Sequence, residues 1–146
     1  MLLDGPHGSY RPRAHADRFV LIAGGVGITP IISLLRTAAD CGDRRPFRLI
    51  YRSRRQEDII FREQLDQLEQ QLDLRVVHVL SDPHPGWTGE AGFIDDALLA
   101  RHLPRDPSGA EVFLCGPPPM LATALAGLRR LGVAPEHVHT EQCVTV

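Results

Sequence analysis

The sequence contains no lysine, since all sixteen basic side chains are arginines. A catalytic lysine is therefore excluded, and so is a Walker-type phosphate-binding loop, which requires one. Cysteine is scarce as well, and the three residues Cys41, Cys115 and Cys143 form no C-x-x-C pair. An odd number of cysteines without such a pair argues against a disulfide framework or a zinc knot and favours a reducing compartment.

Long apolar runs and an excess of positive charge are also missing. The most apolar stretch, residues 19–35, is interrupted by three glycines and a proline, so no run reaches the roughly 18 residues that a membrane span needs. The first residues show no basic flank followed by a long apolar segment, and we therefore expect no signal peptide and a cytoplasmic location. The net charge of −2 argues against nucleic acid as a partner.

What remains is the composition of one globular domain. The chain has 146 residues, of which 43% are hydrophobic and 23% charged, and this is enough to bury a core. Short apolar runs alternate with helical patterns along nearly the whole length. This alternation predicts an α/β fold, a doubly wound five-stranded parallel sheet in the order 3-2-1-4-5 with helices on both faces. The predicted strands are 19–23, 47–51, 74–80, 111–115 and 137–141.

The loop after the first predicted strand is rich in glycine. Parallel sheets bind ligands at the carboxyl ends of their strands, and this loop contains Gly24, Gly25, Gly27, Thr29 and Pro30. Glycines allow the backbone to approach a pyrophosphate, and the following helix offers N–H groups at its positive end. The alternative is a tight turn that needs glycine only for its backbone angles.

The loop after the second strand is basic, with Arg52, Ser53, Arg54 and Arg55 in succession. Domains that prefer NAD usually carry an acidic residue in this region, which binds the ribose 2′-hydroxyl. Arginine instead binds phosphate through two parallel hydrogen bonds. The loop therefore favours NADPH over NADH, and the alternative is a solvated basic loop balanced by the acidic residues of 57–63.

Two further groups lie at the ends of the last strands. Cys115 ends the fourth strand, where its thiol could contact a bound ring, although a buried strand cysteine is more often an inert apolar residue. His137, His139 and Glu141 alternate on the fifth strand and should project to one face. Three neighbours on one strand form a poor tetrahedral cage, so we expect no metal. The loop from Asp82 is predicted to be merely rigid.

Five motifs, in this order, resemble the NAD(P)-binding domain of the ferredoxin–NADP⁺ reductase superfamily. They are GGVGITP, YRSRRQEDIIF, LSDPHPGWTGEAGFID, CGPPPM and HTEQC. The resemblance covers practically the entire chain. The residues of these motifs most resemble those of bacterial ferric-reductase-like flavoproteins, which are relatives of the NADPH oxidases.

The resemblance implies a role for each motif. The glycine loop, with Gly24, Gly25, Gly27, Thr29 and Pro30, would hold the pyrophosphate, and Arg52 to Arg55 would bind the adenosine 2′-phosphate. Cys115 would lie beside C4 of the nicotinamide, and Glu141 near the nicotinamide and N5 of the flavin. The nicotinamide pocket would be shaped by Gly116, Pro117 and Met120.

The sequence departs from the superfamily at two places. Relatives usually carry an aromatic residue that covers the flavin where this chain has Cys143. They also carry a flavin-binding barrel before this domain, of which only a segment resembling its last residues is found here. The resemblance thus implies that residues 1–16 end a flavin domain or linker and that residues 17–146 form the NAD(P)-binding domain.

The implied function is that of the NADPH-binding module of a flavin-dependent reductase, with NADH also possible as cofactor. It would present hydride to N5 of FAD, held mainly by a domain absent from this chain. We expect the chain to be inactive without that flavin domain, supplied upstream or in trans, and the parent protein to carry a membrane haem domain. The alternative is a nucleotide-binding sensor or docking module with no redox turnover of its own.

Overall fold

The computed structural model of the chain describes residues 16–142. Most of the segment predicted to belong to a flavin domain or linker, and Cys143, therefore lie outside the described residues. Ala16 is buried at the start of the described chain, and its carbonyl oxygen accepts a hydrogen bond of 3.2 Å from Arg45. The amide of Asp17 donates to the carbonyl of Gly109 at 2.8 Å. The first described residues are thus already part of the packed domain.

Within residues 16–142, six strands form one parallel sheet in the order β4-β3-β2-β1-β5-β6. The longer strands are nearly continuous apolar runs because helices cover both faces of the sheet. The strands are β1 Arg18–Gly24, β2 Phe47–Ser53, β3 Leu74–Leu80, β4 Glu90–Ala91, β5 Ala110–Gly116 and β6 Val138–Gln142. The helices are α1 Ile28–Asp40, α2 Arg62–Gln71, α3 Asp96–His102 and α4 Pro118–Arg130.

The prediction of five strands was wrong, because β4 is a sixth strand at the outer edge of β3 and changes the order of the sheet. The five strands that were predicted, which are β1, β2, β3, β5 and β6, lie in the predicted relative order 3-2-1-4-5. Strand β4 has two residues and lies among glycines, so it shows neither an apolar run nor an alternation that could mark a strand. Glu90 ties it to α3 through Arg101 and His102, each at 2.7 Å. The hydrogen bonds from Arg101 and His102 lower the pKa of Glu90 to about 2.

The core consists of two apolar layers, one on each face of the sheet. Helices α1 and α2 cover the face that carries Phe19, Leu21 and Tyr51, and α3 and α4 cover the face that carries Val20 and Ile22. The side chains of each strand contribute alternately to the two layers, since successive side chains point to opposite faces. Both faces of the sheet are therefore covered, and the two ends of its strands, called here the carboxyl edge and the amino edge, remain for binding.

Helices α1 and α4 both carry proline in their first turn. Helix α1 starts at Ile28, immediately after a turn of 3₁₀ helix over Gly25–Gly27, so Pro30 lies inside its first turn. Helix α4 starts at Pro118. Proline is tolerated in a first turn because its missing N–H has no partner within the helix there. None of the described helices combines the length and hydropathy that crossing a bilayer requires.

Candidate functional site

The glycine loop after β1 packs directly on the loop after β5. These strands are neighbours, with Ala23 paired to Cys115. A Cβ atom added to Gly27 would collide with the carbonyl oxygen of Cys115, and one added to Gly24 would collide with the Sδ atom of Met120. A Cβ atom on Gly116 would likewise meet the end of the Met120 side chain. Gly27 is thus required by the contact between the two loops, whereas at Gly24 and Gly116 the added atom would meet the flexible end of Met120, which can shift.

Gly25 is the exception. Its φ of +56° favours glycine, yet a Cβ atom there would meet nothing within 4 Å. Val26, which follows it, is 56% exposed, and Thr29 is exposed in the first turn of α1. No side chain caps α1. Gly25, Val26 and Thr29 therefore border solvent at the uncapped start of α1, where backbone N–H groups suit an anion. Gly27 and Ile28 between them are buried, and the N–H of Ile28 already donates to the carbonyls of Gly25 and Val26.

Arg52 lies beside this loop, since it pairs with Gly24 across β1 and β2. Its guanidinium group lies over the ring of Phe93 at 5.5 Å, and its Nε atom is buried without a hydrogen-bond partner. Both side chains border a cavity of about 240 Å³ with a mostly apolar wall. The rest of its lining is Ile94, Pro117, Pro119, Met120 and Thr123.

The four consecutive residues predicted to bind one phosphate are divided among three environments. Arg52 borders the cavity. Ser53 is only 4% exposed and lies, like Tyr51, on the face of β2 opposite to Arg52. Arg54 and Arg55 are exposed, and their Nε atoms lie 4.0 and 3.1 Å from Oδ2 of Asp82. The hydrogen bond from Arg55 to Asp82 and the charge of Asp82 raise the pKa of Arg55.

Asp82 is a residue that sequence reasoning assigned to a merely rigid loop. Its amide donates to the carbonyl of Arg54 at 2.8 Å, and the amide of Ser81 donates to the carbonyl of Ser53 at 3.0 Å. The loops after β2 and β3 therefore run together, because the two strands are neighbours. Opposite charges in the loops after two neighbouring strands were the signal that could have identified Asp82.

Trp87 lies in the loop between β3 and β4 and contacts other residues of this segment. Its Nε1 donates to the carbonyl of Glu90 at 2.8 Å, and its ring meets His84 edge to face at 6.1 Å. Gly89 lies against the ring, since an added Cβ atom would overlap it. These contacts place Trp87 within the loop.

Cys115 and Glu141 are direct neighbours on β5 and β6. Cys115 is fully buried. A ligand can reach its thiol only if a covering group moves. Oε1 of Glu141 is also buried and has no hydrogen-bond partner. An unpartnered buried carboxylate oxygen is costly, so this end of the site has an acceptor to offer.

His137 and His139 both donate hydrogen bonds to Glu111 on β5. The distances are 2.5 Å from His137 Nδ1 and 2.7 Å from His139 Nε2, and Glu111 is 3% exposed. Burial alone raises the pKa of Glu111, but the hydrogen bonds from His139 and His137 outweigh it and lower the pKa overall. Among residues 16–142, no group of three histidine, cysteine or acidic side chains is arranged to hold a metal ion.

A family model described as the oxidoreductase NAD-binding domain matches residues 21–125. The chain belongs to this family, as an NAD-binding domain of the ferredoxin reductase-like superfamily. Its curated relatives include NADH-cytochrome b5 reductase 1 of Aspergillus terreus, 33% identical over 136 residues, which cover 88% of this chain and 46% of that protein. The enzyme of the same name from Pyricularia oryzae is 35% identical over 133 residues, covering 88% and 43%.

Solved structures agree with the curated relatives. The cytochrome b5 reductase domain of Ulva prolifera nitrate reductase has a TM-score of 0.77 and 28% identity, covering 86% of this chain and 50% of that one. The FAD/NAD-binding domain of nitric oxide dioxygenase from Vibrio cholerae has a TM-score of 0.78 and 25% identity, covering 92% and 53%. The chain spans about half the length of the curated relatives it matches. The likeness to bacterial ferric-reductase-like proteins stays a prediction.

Proposed function

We propose that this chain binds NADPH along the carboxyl edge of its sheet and presents the nicotinamide to FAD held by a flavin-binding domain. The observation that carries the proposal is the exposure of Gly25, Val26 and Thr29 at the uncapped start of α1, next to the cavity of Arg52 and Phe93. Backbone N–H groups at a helix start suit a pyrophosphate, and a largely apolar cavity suits an adenosine. Relatives such as NADH-cytochrome b5 reductase 1 are reductases, which supports the same class of reaction.

The polar atoms of the site fit such a dinucleotide. The buried Nε of Arg52 has no partner in the protein, so an acceptor on the ligand would relieve a real cost. The buried Oε1 of Glu141 offers the complementary acceptor at the β6 end. In this proposal Gly25 and Thr29 hold the pyrophosphate, Arg52 and Phe93 hold the adenosine, and Cys115 and Glu141 lie at the nicotinamide end.

The bound dinucleotide supplies the hydride, and the residues of this chain supply position. The close packing of Gly27 on Cys115 fixes the two loops relative to each other. Glu141, next to Cys115 on the neighbouring strand, orients the ring as an acceptor for its amide. We therefore expect Cys115→Ala to slow flavin reduction more than it weakens NADPH binding. Stopped-flow measurements with the flavin domain supplied in cis or in trans test this, and an unchanged rate would contradict it.

The preference for NADPH rests on Arg54 and Arg55. Both side chains are exposed in the loop that follows Arg52, and both lie near the carboxylate of Asp82. A 2′-phosphate would compete with Asp82 for two guanidinium groups, whereas the 2′-hydroxyl of NADH would gain an acceptor in Asp82. Asp82 thus opposes the preference that the arginines create.

Calorimetric titration of the chain with each nucleotide tests the preference. For Arg54→Gln with Arg55→Gln we expect NADPH affinity to fall about tenfold, since two charged hydrogen-bond donors are lost. Affinity for NADH should change by less than about twofold. Equal losses for both nucleotides would contradict a role for these arginines at the 2′-phosphate.

A nucleotide-binding sensor or docking module without redox turnover is the second candidate. It needs the same cavity but has no use for a carboxylate at the nicotinamide end, so the position of Glu141 beside Cys115 disfavours it. Nucleotide binding without any flavin reduction in the presence of a flavin domain would favour the sensor. A membrane haem domain as a further partner stays a prediction.

A further inference from the structure

Three arginines gather at the opposite edge of the sheet, where β1, β2 and β3 begin. Arg48 and Arg75 are direct partners across β2 and β3. Arg48 also pairs with Val20 of β1, and Arg18 precedes Val20 by two residues, so all three side chains belong to the face covered by α3. They border one cavity of about 230 Å³, named here the arginine cavity.

The arginine cavity carries positive charge without counter-ions in contact. Among the described residues, no carboxylate lies within 4.0 Å of the guanidinium nitrogens of Arg18, Arg48 or Arg75, although Asp73 is part of the lining. Arg48 makes one hydrogen bond, from Nη1 to the carbonyl of His102 at 3.2 Å. Like charges that line one cavity repel one another, and an anion would reduce that repulsion. Of the three arginines, Arg18 also interacts electrostatically with Asp106.

Some arginines elsewhere in the domain contact carboxylates. Arg45 lies 2.7 Å from Asp43, Arg101 lies 2.7 Å from Glu90, and Arg130 lies 2.5 Å from Asp96. Other described arginines, such as the exposed Arg62 and Arg129, lack such a contact, so the distinguishing feature of Arg18, Arg48 and Arg75 is that they line one cavity together. A set of fork-shaped donors around a cavity is the arrangement that binds a phosphate or carboxylate group.

The remaining wall defines the rest of the ligand. Val20, Pro46, Leu103 and Pro104 contribute apolar surface to the cavity. A bare inorganic ion would leave that surface unused, whereas a compact apolar or aromatic body would cover it. We propose that the arginine cavity binds a small organic oxyanion, a phosphate ester or carboxylate with a compact apolar body. The site is separate from the nucleotide site, since the seven residues of β1 span about 20 Å between them.

Arginine side-chain NMR of the whole chain tests this directly. Each Nε–Hε pair gives its own signal, and no lysine complicates the charge balance. We expect phenyl phosphate to shift the signals of Arg18, Arg48 and Arg75 saturably. It should bind about tenfold more tightly than inorganic phosphate, because its ring leaves water. Benzoate in a parallel titration distinguishes a carboxylate site from a phosphate site.

The double variant Arg48→Gln with Arg75→Gln should lose this binding by about tenfold or more. The matched control is Arg62→Gln with Arg129→Gln, which removes the same charge from exposed positions elsewhere and should bind as the native chain does. If the double variant does not fold, Arg75→Gln alone serves, since Arg75 is exposed and its side chain makes no hydrogen bond to a described residue. The proposal would be overturned if the shifts did not saturate. It would also be overturned if the control variant lost as much binding as the double variant Arg48→Gln with Arg75→Gln.

Discussion

We propose an anion site at each of the two edges of this sheet, and the two sites are built from different parts of the chain. At the carboxyl edge the binding surface is backbone, with Gly25 open to solvent before α1 and Gly27 pressed against Cys115. At the amino edge the surface consists of side chains, the arginines of the arginine cavity. A parallel sheet can thus offer a surface formed by backbone at one end of its strands and a charged surface formed by side chains at the other end.

Charge is also treated differently at the two edges. Arg54 and Arg55 at the carboxyl edge share the carboxylate of Asp82, so a ligand there must compete for them. Arg18 and Arg75 at the amino edge have no carboxylate within contact distance among residues 16–142. Competition makes a site selective, because a ligand must offer more than the resident carboxylate does. We therefore expect discrimination between nucleotides at the first edge and broad oxyanion binding at the second.

The largest expected effect comes from the contact between the two loops. Gly27→Ala would drive a Cβ atom into the backbone of Cys115 and Gly116, so we expect a loss of about 3 kcal/mol in the free energy of unfolding, measured in urea. Gly25→Ala is the control, because it faces open space and pays only for its positive φ, about 1 kcal/mol. Equal losses would contradict the assignment of Gly27 to loop packing.

A second prediction compares two glutamates, one toward each edge. Glu111→Gln replaces a buried carboxylate that accepts from His137 and His139, and we expect it to lower the free energy of unfolding at pH 7 by about 2 kcal/mol. Glu141→Gln should change it by less than about 0.5 kcal/mol, since Oε1 of Glu141 has no partner to lose. Urea unfolding measures both, and a larger loss for Glu141→Gln would reverse the comparison.

The same carboxylate sets a pH dependence whose sign follows from its lowered pKa. A folded-state pKa below the unfolded value contributes stability above the unfolded value, near pH 4.5, and loses it as the pH falls through the folded value. The native chain should therefore become less stable below about pH 4.5. In Glu111→Gln this part of the decline should be absent. An identical acid profile for the two proteins would rule out Glu111 as its source.

A smaller effect concerns nucleotide choice at the carboxyl edge. Asp82→Asn removes the carboxylate that Arg54 and Arg55 share, so NADPH affinity should rise about threefold, the size expected for exposed charges. NADH affinity should not rise with it, because its 2′-hydroxyl loses the carboxylate acceptor that Asp82 offers. Calorimetry with both nucleotides measures the ratio. A parallel rise for both would show that Asp82 does not act at the 2′-position.

The smallest effect is expected at the amino edge in the absence of ligand. Arg75→Gln removes one of three like charges in the arginine cavity, and we expect the free energy of unfolding to rise by about 0.3 kcal/mol at low salt. The gain should disappear at high salt because screening removes the repulsion. A loss of stability at low salt would mean that Arg75 is already compensated in the protein.

Much of the fold could be predicted because the long strands are continuous apolar runs. The run from Phe19 to Ala23 needs no tertiary information to be identified as a buried strand, and Gly24 then ends it in a loop at the sheet edge. Strand β4 could not be predicted in this way. Its two residues pair with Val79 and Leu80, and only that non-local pairing makes it a strand.

The positions of the candidate site residues at the strand ends could be predicted from the sequence, whereas most of the contacts that these residues make could not. Four neighbouring residues from Arg52 to Arg55 look like one cluster in sequence, yet the alternation of β2 buries Ser53 and turns Arg52 to the cavity. The bonds from His137 and His139 to Glu111 join residues 26 and 28 positions apart. Such contacts depend on which strands become neighbours, and sequence spacing alone does not contain that.

The most direct test of the account is an amide NMR titration of the whole chain with NADPH. We predict saturable shifts that are largest at the carboxyl edge, at Gly25, Gly27 and Thr29, with the amides of Arg48 and Arg75 unchanged. This result would place the nucleotide on the backbone surface that the glycine loop and α1 form. Largest shifts at Arg48 and Arg75, or no saturable shift at the glycine loop, would contradict the account.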